Sequence, residues 1–303
     1  HYILYFENNF KMINYIKKKF HSFLNLSSFK KDQKLIKINQ GKILMSLNEN
    51  RKNFNDFEVK VFSQFGEDGL IDHLIKISNL QTKTFIEFGV EDYQESNTRF
   101  LLEGKNWKGL IFDSSDKYVN KIKNEDYYWR ENIIAKSAFI TAENINELIS
   151  NNVFFKDVGL LSIDIDGNDY WVWKSINCIK PAIVIIEYNA RFGPDRAVTI
   201  PYDKDFNRSK THHSTIYFGA SLKALFNLGK LKGYSLVGTN SNGCNAFFLR
   251  NDIVTDNNLE TKTPKNCFNI NSFNELRDKN KNLKARNLDE ENKILQDLPL
   301  EEV

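Results

Sequence analysis

The chain has 303 residues, with 42 lysines and arginines against 39 aspartates and glutamates, a formal net charge of +3 and 41% apolar residues. This composition excludes a wholly disordered or collagen-like chain, and the length allows one large domain or two. No stretch approaches the ~18 uninterrupted apolar residues of a transmembrane helix. Cys178, Cys244 and Cys267 are far apart and form no CxxC pair. That spacing argues against a disulfide framework or a thiolate zinc site and fits a reducing, cytoplasmic compartment.

Charge divides the chain. Residues 1–60 hold 12 basic and 5 acidic residues, 61–250 hold 22 and 23, and 251–303 hold 8 and 11. The division predicts a basic, partly helical extension over 1–60, a near-neutral domain over 61–250, and a polar, acidic tail over 251–303. Residues 1–11 precede the first methionine, Met12, and are set aside from fold reasoning. Ile13, Ile16, Phe20, Phe23 and Leu24 share one helical face, with Lys17, Lys18 and Lys19 directed elsewhere. Such a face packs on the main domain or lies on an anionic membrane surface. The second alternative makes residues 12–42 a peripheral contact at the inner membrane surface.

From residue 84 the pattern alternates between strand and helix. Thr84 to Phe88 reads as a strand stopped by Gly89, followed by a short helix capped by Ser96, running through Leu102, with Gly104 just past its end. Gly109 to Asp113 is a second strand, and Ser114 or Ser115 caps a helix through about Lys123. Asn132 to Ala135 is a third strand, with a helix over Ala142 to Ile149. Val158 to Ile165 is a fourth strand, followed by a helix over Tyr170 to Ile176, and Ala182 to Glu187 is a fifth. Continuous Val/Ile/Leu strands between helices indicate a parallel sheet buried on both faces. After a helix over Ser221 to Lys230, strands at 234–238 and 245–249 are joined by so short a turn that they must be antiparallel. The expected fold is α/β: a Rossmann-like seven-stranded sheet of five or six parallel strands plus a C-terminal antiparallel hairpin strand, with helices on both faces. That hairpin ending is the layout of class I S-adenosylmethionine (AdoMet) methyltransferases. No repeat of 20–50 residues is visible.

Ligands of an open parallel sheet bind beyond the carboxyl ends of its strands. Here those ends are acidic: Glu87-Phe88-Gly89, Asp113, Asp164-Ile165-Asp166-Gly167 and Glu187-Tyr188-Asn189. Gly89 allows close backbone approach. Asp113 follows Glu87 at roughly the spacing of a carboxylate that holds ribose hydroxyls. The loop Gly89-Val90-Glu91-Asp92-Tyr93 lacks a full GxGxxG, and its two carboxylates would repel a pyrophosphate. AdoMet carries a sulfonium and an ammonium and no phosphate, so the acidic loop favours it over a dinucleotide. The bland alternative for Glu87 and Asp113 is a carboxylate that caps the next helix.

Several blocks resemble the FkbM-type methyltransferases, a branch of the class I enzymes. They are Ser63 to Gly69, Phe85 to Glu91 with Ser96-Asn97-Thr98, Ser162 to Tyr170, Ile185 to Asn189, Ile200 to Asp203 through Tyr217 to Leu222, and Lys232 to Phe248. Together they cover about residues 60–250. One departure is Tyr93, where the family pattern has glycine, so its ring is expected to crowd the methionine end of the cofactor or narrow substrate access. The resemblance implies AdoMet-dependent O-methylation of a sugar or glycan intermediate, as in surface-polysaccharide pathways.

On that resemblance and on strand position, Glu87 and Gly89 line the methionine part of AdoMet and Asp113 binds its ribose. Ser137 meets the adenine edge, and Asp164 faces the amino group or a metal. The Ser63–Asp68 segment folds over the cofactor with Gln64 or Asp68 as polar contacts, or is a helix cap. A sugar hydroxyl is a poor acid, so methyl transfer needs a base or a metal. Asp164, Glu187 and Asn189, with Asp166 beside them, offer hard oxygen ligands suited to Mg²⁺ or Mn²⁺ rather than zinc. The alternative is that 166–169 is a turn and cap and that Glu187 and Asn189 only bind substrate. His213, ahead of His212, is the expected base, with Asp166 and Glu187 as further catalytic groups. Tyr188, Arg191, Tyr202 and Arg208 are expected acceptor contacts, and Trp171 and Trp173 are expected to pack in the core. The competing readings are a metal-free N- or O-methyltransferase of a small metabolite with His213 as base, and a non-catalytic protein that retains the fold. Without an aromatic-interleaved basic stripe, no nucleic-acid partner is expected.

Overall fold

The computed structural model describes residues 12–13 and 26–303. The apolar face expected over Ile13 to Leu24 lies, apart from Ile13, outside the described residues. The strands are β1 (Thr84–Phe88), β2 (Lys108–Asp113), β3 (Ile133–Ser137), β4 (Leu160–Ile163), β5 (Ile183–Glu187), β6 (Val198–Thr199), β7 (Tyr234–Thr239), β8 (Asn245–Arg250) and β9 (Glu301–Glu302). Seven of them form one sheet in the order β3-β2-β1-β4-β5-β8-β7. β1 to β5 pair in parallel, while β8 runs antiparallel to both β5 and β7. This is the Rossmann-like sheet with a closing hairpin that the sequence predicts.

Side-chain alternation along each strand feeds two cores. Ile86 and Phe88, Leu110 and Phe112, and Leu161 and Ile163 face one layer, built with the helices Ile145–Asn152, Asp169–Ser175 and Leu222–Lys232. Phe85, Ile111, Leu160 and Ile183 face the other, built with the helices Glu67–Ile77, Arg99–Lys105 and Asp116–Lys123. Two caps fall where side-chain chemistry dictates: the Ser115 hydroxyl accepts from Tyr118 N, and the Ser221 hydroxyl from Ala224 N. Ser96 does not cap. Its hydroxyl donates to Glu87 instead, the helix begins at Arg99, and Gly104 lies inside it.

The segments 26–60 and 251–303 both fold back on the domain. The helix Leu26–Leu47 packs Ile38 and Met45 against Val59, Val61, Phe62 and Phe100, and Lys34 pairs with Glu103. No helix among the described residues is long and apolar enough to cross a membrane. The segment 251–303, set apart in sequence by its polarity, is tied down as well: β9 pairs with β6. Its Leu276 and Leu295 join a third core with Phe192, Ile200, Phe206, Ile216 and Phe218. Those partners come from the long excursion between β5 and β7, so tail and excursion form one layer over the strand ends.

His73, on the helix Glu67–Ile77, stacks on Phe57 with ring centroids 3.5 Å apart. Burial holds its imidazole down at about 4. The unfolded chain takes up that proton near ~6.5, so folding stability falls as pH drops from there towards 4. His73→Phe keeps the stack and removes the titration. Thermal melts should therefore show a smaller loss of Tm for the variant than for wild type over that window, and parallel curves would refute the assignment.

Candidate active site

The carboxyl ends of β1, β4 and β5 open into a cavity of about 260 Å³. Glu87 and Gly89 line it from β1, Asp164 and Asp166 from β4, and Glu187 from β5. Gln64, Ser96 and Asn97 contribute from the loops, Arg208 from the excursion, and Phe273 and Glu275 from the tail. A second cavity of about 120 Å³ shares Gly89, Glu91, Asp164 and Asp166, and extends along Asp113 and Ser114 to Ala138, Phe139 and Ile140. The two make one cleft across the point where strand order reverses between β1 and β4, the place where open α/β sheets bind ligands.

Gly89 sets the closeness of this junction. Its φ is +72°, and a Cβ there would lie 1.6 Å from the Asp164 carbonyl oxygen. The surrounding turns are also bent: Glu91, Tyr93 and Asp166 hold φ of 46°, 62° and 60°. Non-glycine residues in this region concentrate at functional loops.

The strand-end carboxylates divide into two groups. Glu87 is fully engaged: one oxygen accepts from Asn97 N at 2.9 Å, and the other from the Ser96 hydroxyl at 2.6 Å, Thr98 N and the Thr98 hydroxyl. Burial raises its pKa and these donors oppose the rise. Asp113 accepts from Glu91 N at 2.7 Å and Ser115 N at 2.8 Å, which joins the β1 and β2 loops. Asp169 accepts from Ile165 N and Gly167 N at 2.9 Å each and caps the 164–168 turn; burial pushes it up to about 6.

Asp164 and Glu187 belong to the other group. Burial, and then the neighbouring carboxylates, drive both well above the usual range, with the Arg208 charge opposing. Glu187 Oε2 is buried without a hydrogen-bond partner. One oxygen each from Asp164, Asp166 and Glu187 lie within 4.8 Å of one another. Arg208 covers this group. It donates to Asp166 at 2.7 Å and to Glu275 at 2.6 Å, and its guanidinium lies 3.6 Å from the centre of the Phe218 ring. Glu275 also meets Arg191 at 3.1 Å, and Arg191 meets Glu291 at 2.8 Å.

The structure brings Gln64, Glu87, Gly89, Asp113, Asp164, Asp166, Glu187 and Arg208 to this cleft and directs other expected residues elsewhere. Asn189 is spent internally: its amide donates to the carbonyls of Ile216 and Phe218 and accepts from Arg191 N, so it lies outside the carboxylate group. Tyr188 is buried in the core, where its hydroxyl donates to Asn269 O. Arg191 is buried in ion pairs with the tail and makes no cavity wall. Tyr202 donates to Glu143 at 2.5 Å and accepts from Ala142 N, away from the lining. His213 lies beside His212 with the rings tilted at 44° and their centroids 4.2 Å apart, and is not among the lining residues. Ser137 pairs with Asp113 across β2 and β3, but the wall itself is made by Ala138 to Ile140. Asp68 holds the 61–63 backbone by accepting from Val61, Phe62 and Ser63. Tyr93 turns inward: its hydroxyl meets Thr98 in the core and does not enter the cavity.

Phe273 and Glu275 are absent from the sequence expectations. Nothing in the spacing of the tail says that it returns to the strand ends, because that return depends on the Arg191 and Arg208 ion pairs across some 70–100 residues of chain.

No family model matches the chain, and no curated protein matches it in sequence. Solved structures resemble it in part. An O-methyltransferase from Bacillus cereus in complex with SAH is 14% identical, at a TM-score of 0.40 over 70% of this chain and 89% of that one. The N-terminal domain of EvdMO1, crystallised in the presence of SAH and D-fucose, is 7% identical at 0.40, over 61% and 82%. An S-adenosylmethionine-dependent methyltransferase from Clostridium acetobutylicum is 11% identical at 0.39, over 70% and 98%. At such values the chain's own strand order carries the fold assignment.

Gly89→Ala forces an L-residue into positive φ, which alone costs about 1–3 kcal/mol, and drives its Cβ into the Asp164 backbone. Urea unfolding should show at least that loss. A midpoint equal to wild type would mean that the junction is not held as described.

Proposed function

We propose that the chain is an AdoMet-dependent O-methyltransferase acting on a sugar or glycan intermediate. The observation that supports this most is the continuity of the cleft: Asp113 at one end and the Asp164–Asp166–Glu187 carboxylates at the other, joined across Gly89. Each Asp113 oxygen accepts one backbone N–H and retains a further lone pair, which suits two adjacent ribose hydroxyls. Ala138 to Ile140 offer an apolar wall for adenine. The acidic half suits a sulfonium and an ammonium, since opposite charges attract strongly where water is partly excluded. Blocks that resemble FkbM-type enzymes supply Gln64, Glu87, Gly89, Asn97, Asp164, Glu187 and Asn245 to this cleft, which supports that branch, whereas the blocks at 200–203 and 217–222 do not line it.

In the reaction the acceptor hydroxyl oxygen attacks the methyl carbon and forms an O–C bond. The C–S bond breaks, its electron pair stays on sulfur, and the sulfonium becomes the neutral thioether of S-adenosylhomocysteine (SAH). The hydroxyl proton passes to the carboxylate group beside it. Buried carboxylates with raised pKa values are better bases than ordinary ones, which favours this group over His213, a residue that lines neither cavity.

Calorimetric titration with SAH tests the cofactor half. Wild type should bind, and Asp113→Ala should weaken binding ~10–100-fold, the worth of about 1.5–3 kcal/mol of charged hydrogen bonding. Asp113→Asn, which keeps the side chain's shape and one of its two backbone-amide contacts, guards against a folding defect. Absence of heat at millimolar SAH, or unchanged affinity in both variants, would contradict the proposal.

A further inference from the structure

We infer that the outward face of the helix Leu26–Leu47, with Trp129 beside it, is a docking surface for an anionic lipid bilayer. The inference is independent of the reaction proposed above. It places the contact on a different face from the one that the sequence puts over Ile13 to Leu24.

The helix has two apolar faces. On one, Ile38 and Met45 pack against Val59, Val61, Phe62 and Phe100. Gly41 presses so closely there that a Cβ would lie 2.3 Å from a Val61 methyl carbon, and Lys34 fastens the seat through Glu103. At about 100° per residue, Phe29, Ile36, Ile43 and Leu47 fall within about 40° of one another on the opposite side. They are between 47% and 70% exposed, and among the described residues none covers them. Rotation of the helix cannot hide them, because it would undo the packed face. Leu35 and Leu44, also exposed, widen this apolar half on either side. Around the helix, Lys37 comes next after Leu44, and Lys42 and Lys31 come next after Leu35. Lysines at both borders of an apolar half suit a helix lying in a lipid interface. The apolar side chains enter between the lipids while the ammonium groups reach back to the headgroup phosphates.

Charge selects the occupant. The helix carries five lysines and one aspartate, and Lys17, Lys18 and Lys19 precede it in sequence. An anionic surface attracts such a segment, and each lysine close to it adds to the attraction. A second copy of this helix would bring like charge to like. It would also lack a seam. Phe29, Ile36 and Ile43 are seven residues apart, and the intervening positions that a helix pair fills with apolar residues hold Asp32, Asn39 and Ser46. Trp129 is a separate observation that points the same way. It lies on the helix Asp126–Arg130, which Asp126 ties to Lys31 and Lys34, and it is 75% exposed, whereas Trp107 and Trp173 are buried. Tyr127 on the same turn enters the core, so Trp129 is directed outward on the flank that carries the lysine-bordered helix. Indole rings concentrate at the headgroup level of bilayers, where an apolar ring and a hydrated N–H are both accommodated.

Sedimentation of the full chain with vesicles of equal parts phosphatidylcholine and phosphatidylglycerol tests the surface. Wild type should bind them at least tenfold more tightly than vesicles of phosphatidylcholine alone, and added salt should weaken the binding. Ile36→Ser combined with Ile43→Ser should weaken it at least tenfold. Leu231→Ser, at an exposed position on the helix Leu222–Lys232 in the other layer, should change it less than twofold. Circular dichroism checks the fold of each variant, and Phe29→Ser combined with Leu47→Ser serves if the first pair does not fold. Brominated lipid should quench the tryptophan fluorescence of wild type, and Trp129→Phe should remove most of that quenching. No binding to the anionic vesicles, equal binding to the neutral ones, or equal binding by the Ile36 and Ile43 variant would overturn the proposal. So would a loss with Leu231→Ser as large as with that variant, because it would mark unspecific adsorption. Unchanged quenching in Trp129→Phe would remove Trp129 from the surface. A wild type that ignores vesicles and sediments as a dimer, with the Ile36 and Ile43 variant a monomer, would give the face to a second copy instead.

Discussion

Negative charge gathered at the ends of buried strands is the constraint around which this molecule is built. Parallel strands covered on both faces must be apolar along their length, so their polar residues concentrate where the chain leaves the sheet. Glu87, Asp113, Asp164 and Glu187 all sit there, and desolvation penalises Glu87, Asp164 and Glu187 as anions. The fold meets part of that penalty locally. The 96–98 turn wraps Glu87 in donors, and the backbone of Glu91 and Ser115 closes on Asp113. These bonds also shape the cleft, since they hold the β1 loop against the β2 loop with Gly89 pressed on the β4 turn.

The remaining charge is met from far along the chain. Arg208 arrives from the excursion after β5 and Glu275 from the tail, and Arg191 and Glu291 extend the alternation into the helix Leu288–Gln296. A shared apolar core and the β6–β9 pairing hold these two segments together. The tail therefore builds one wall of the cleft, with Phe273 stacked on Phe65 from the opposite loop at 5.2 Å. Its polarity is what an ion-paired cover needs on a site lined with carboxylates.

Much of the fold was legible because the signals are local. Apolar runs of strand length, serine caps and a short Asn/Gly turn between 239 and 243 specify strands and the terminal hairpin within a few residues. The strand-end carboxylates were legible for the same reason, since a parallel sheet sends its C-terminal ends to one edge. What sequence does not show is direction and long-range partnership. Tyr188 and Asn189 follow a strand end as closely as Glu187 does, yet one side chain enters the core and the other binds the backbone near residue 217. Arg191 and His213 look available by residue type. Arg191 is instead paired with glutamates some 84 and 100 residues further along, and His213 is set beside His212 rather than the cleft. Ser96 is not the cap for a related reason: its hydroxyl donates to the buried Glu87 and accepts from Thr98 N, which fixes the 96–98 turn ahead of a helix that begins only at Arg99.

The central claim is that one continuous cleft presents a methyl donor to the carboxylate group. A crystal structure of the chain soaked with SAH tests it most directly. The account predicts adenine against Ala138 to Ile140, both ribose hydroxyls within hydrogen-bond reach of Asp113, and the thioether sulfur directed towards Asp164, Asp166 and Glu187. SAH bound outside the cleft, or seated with its ribose turned away from Asp113, would contradict it.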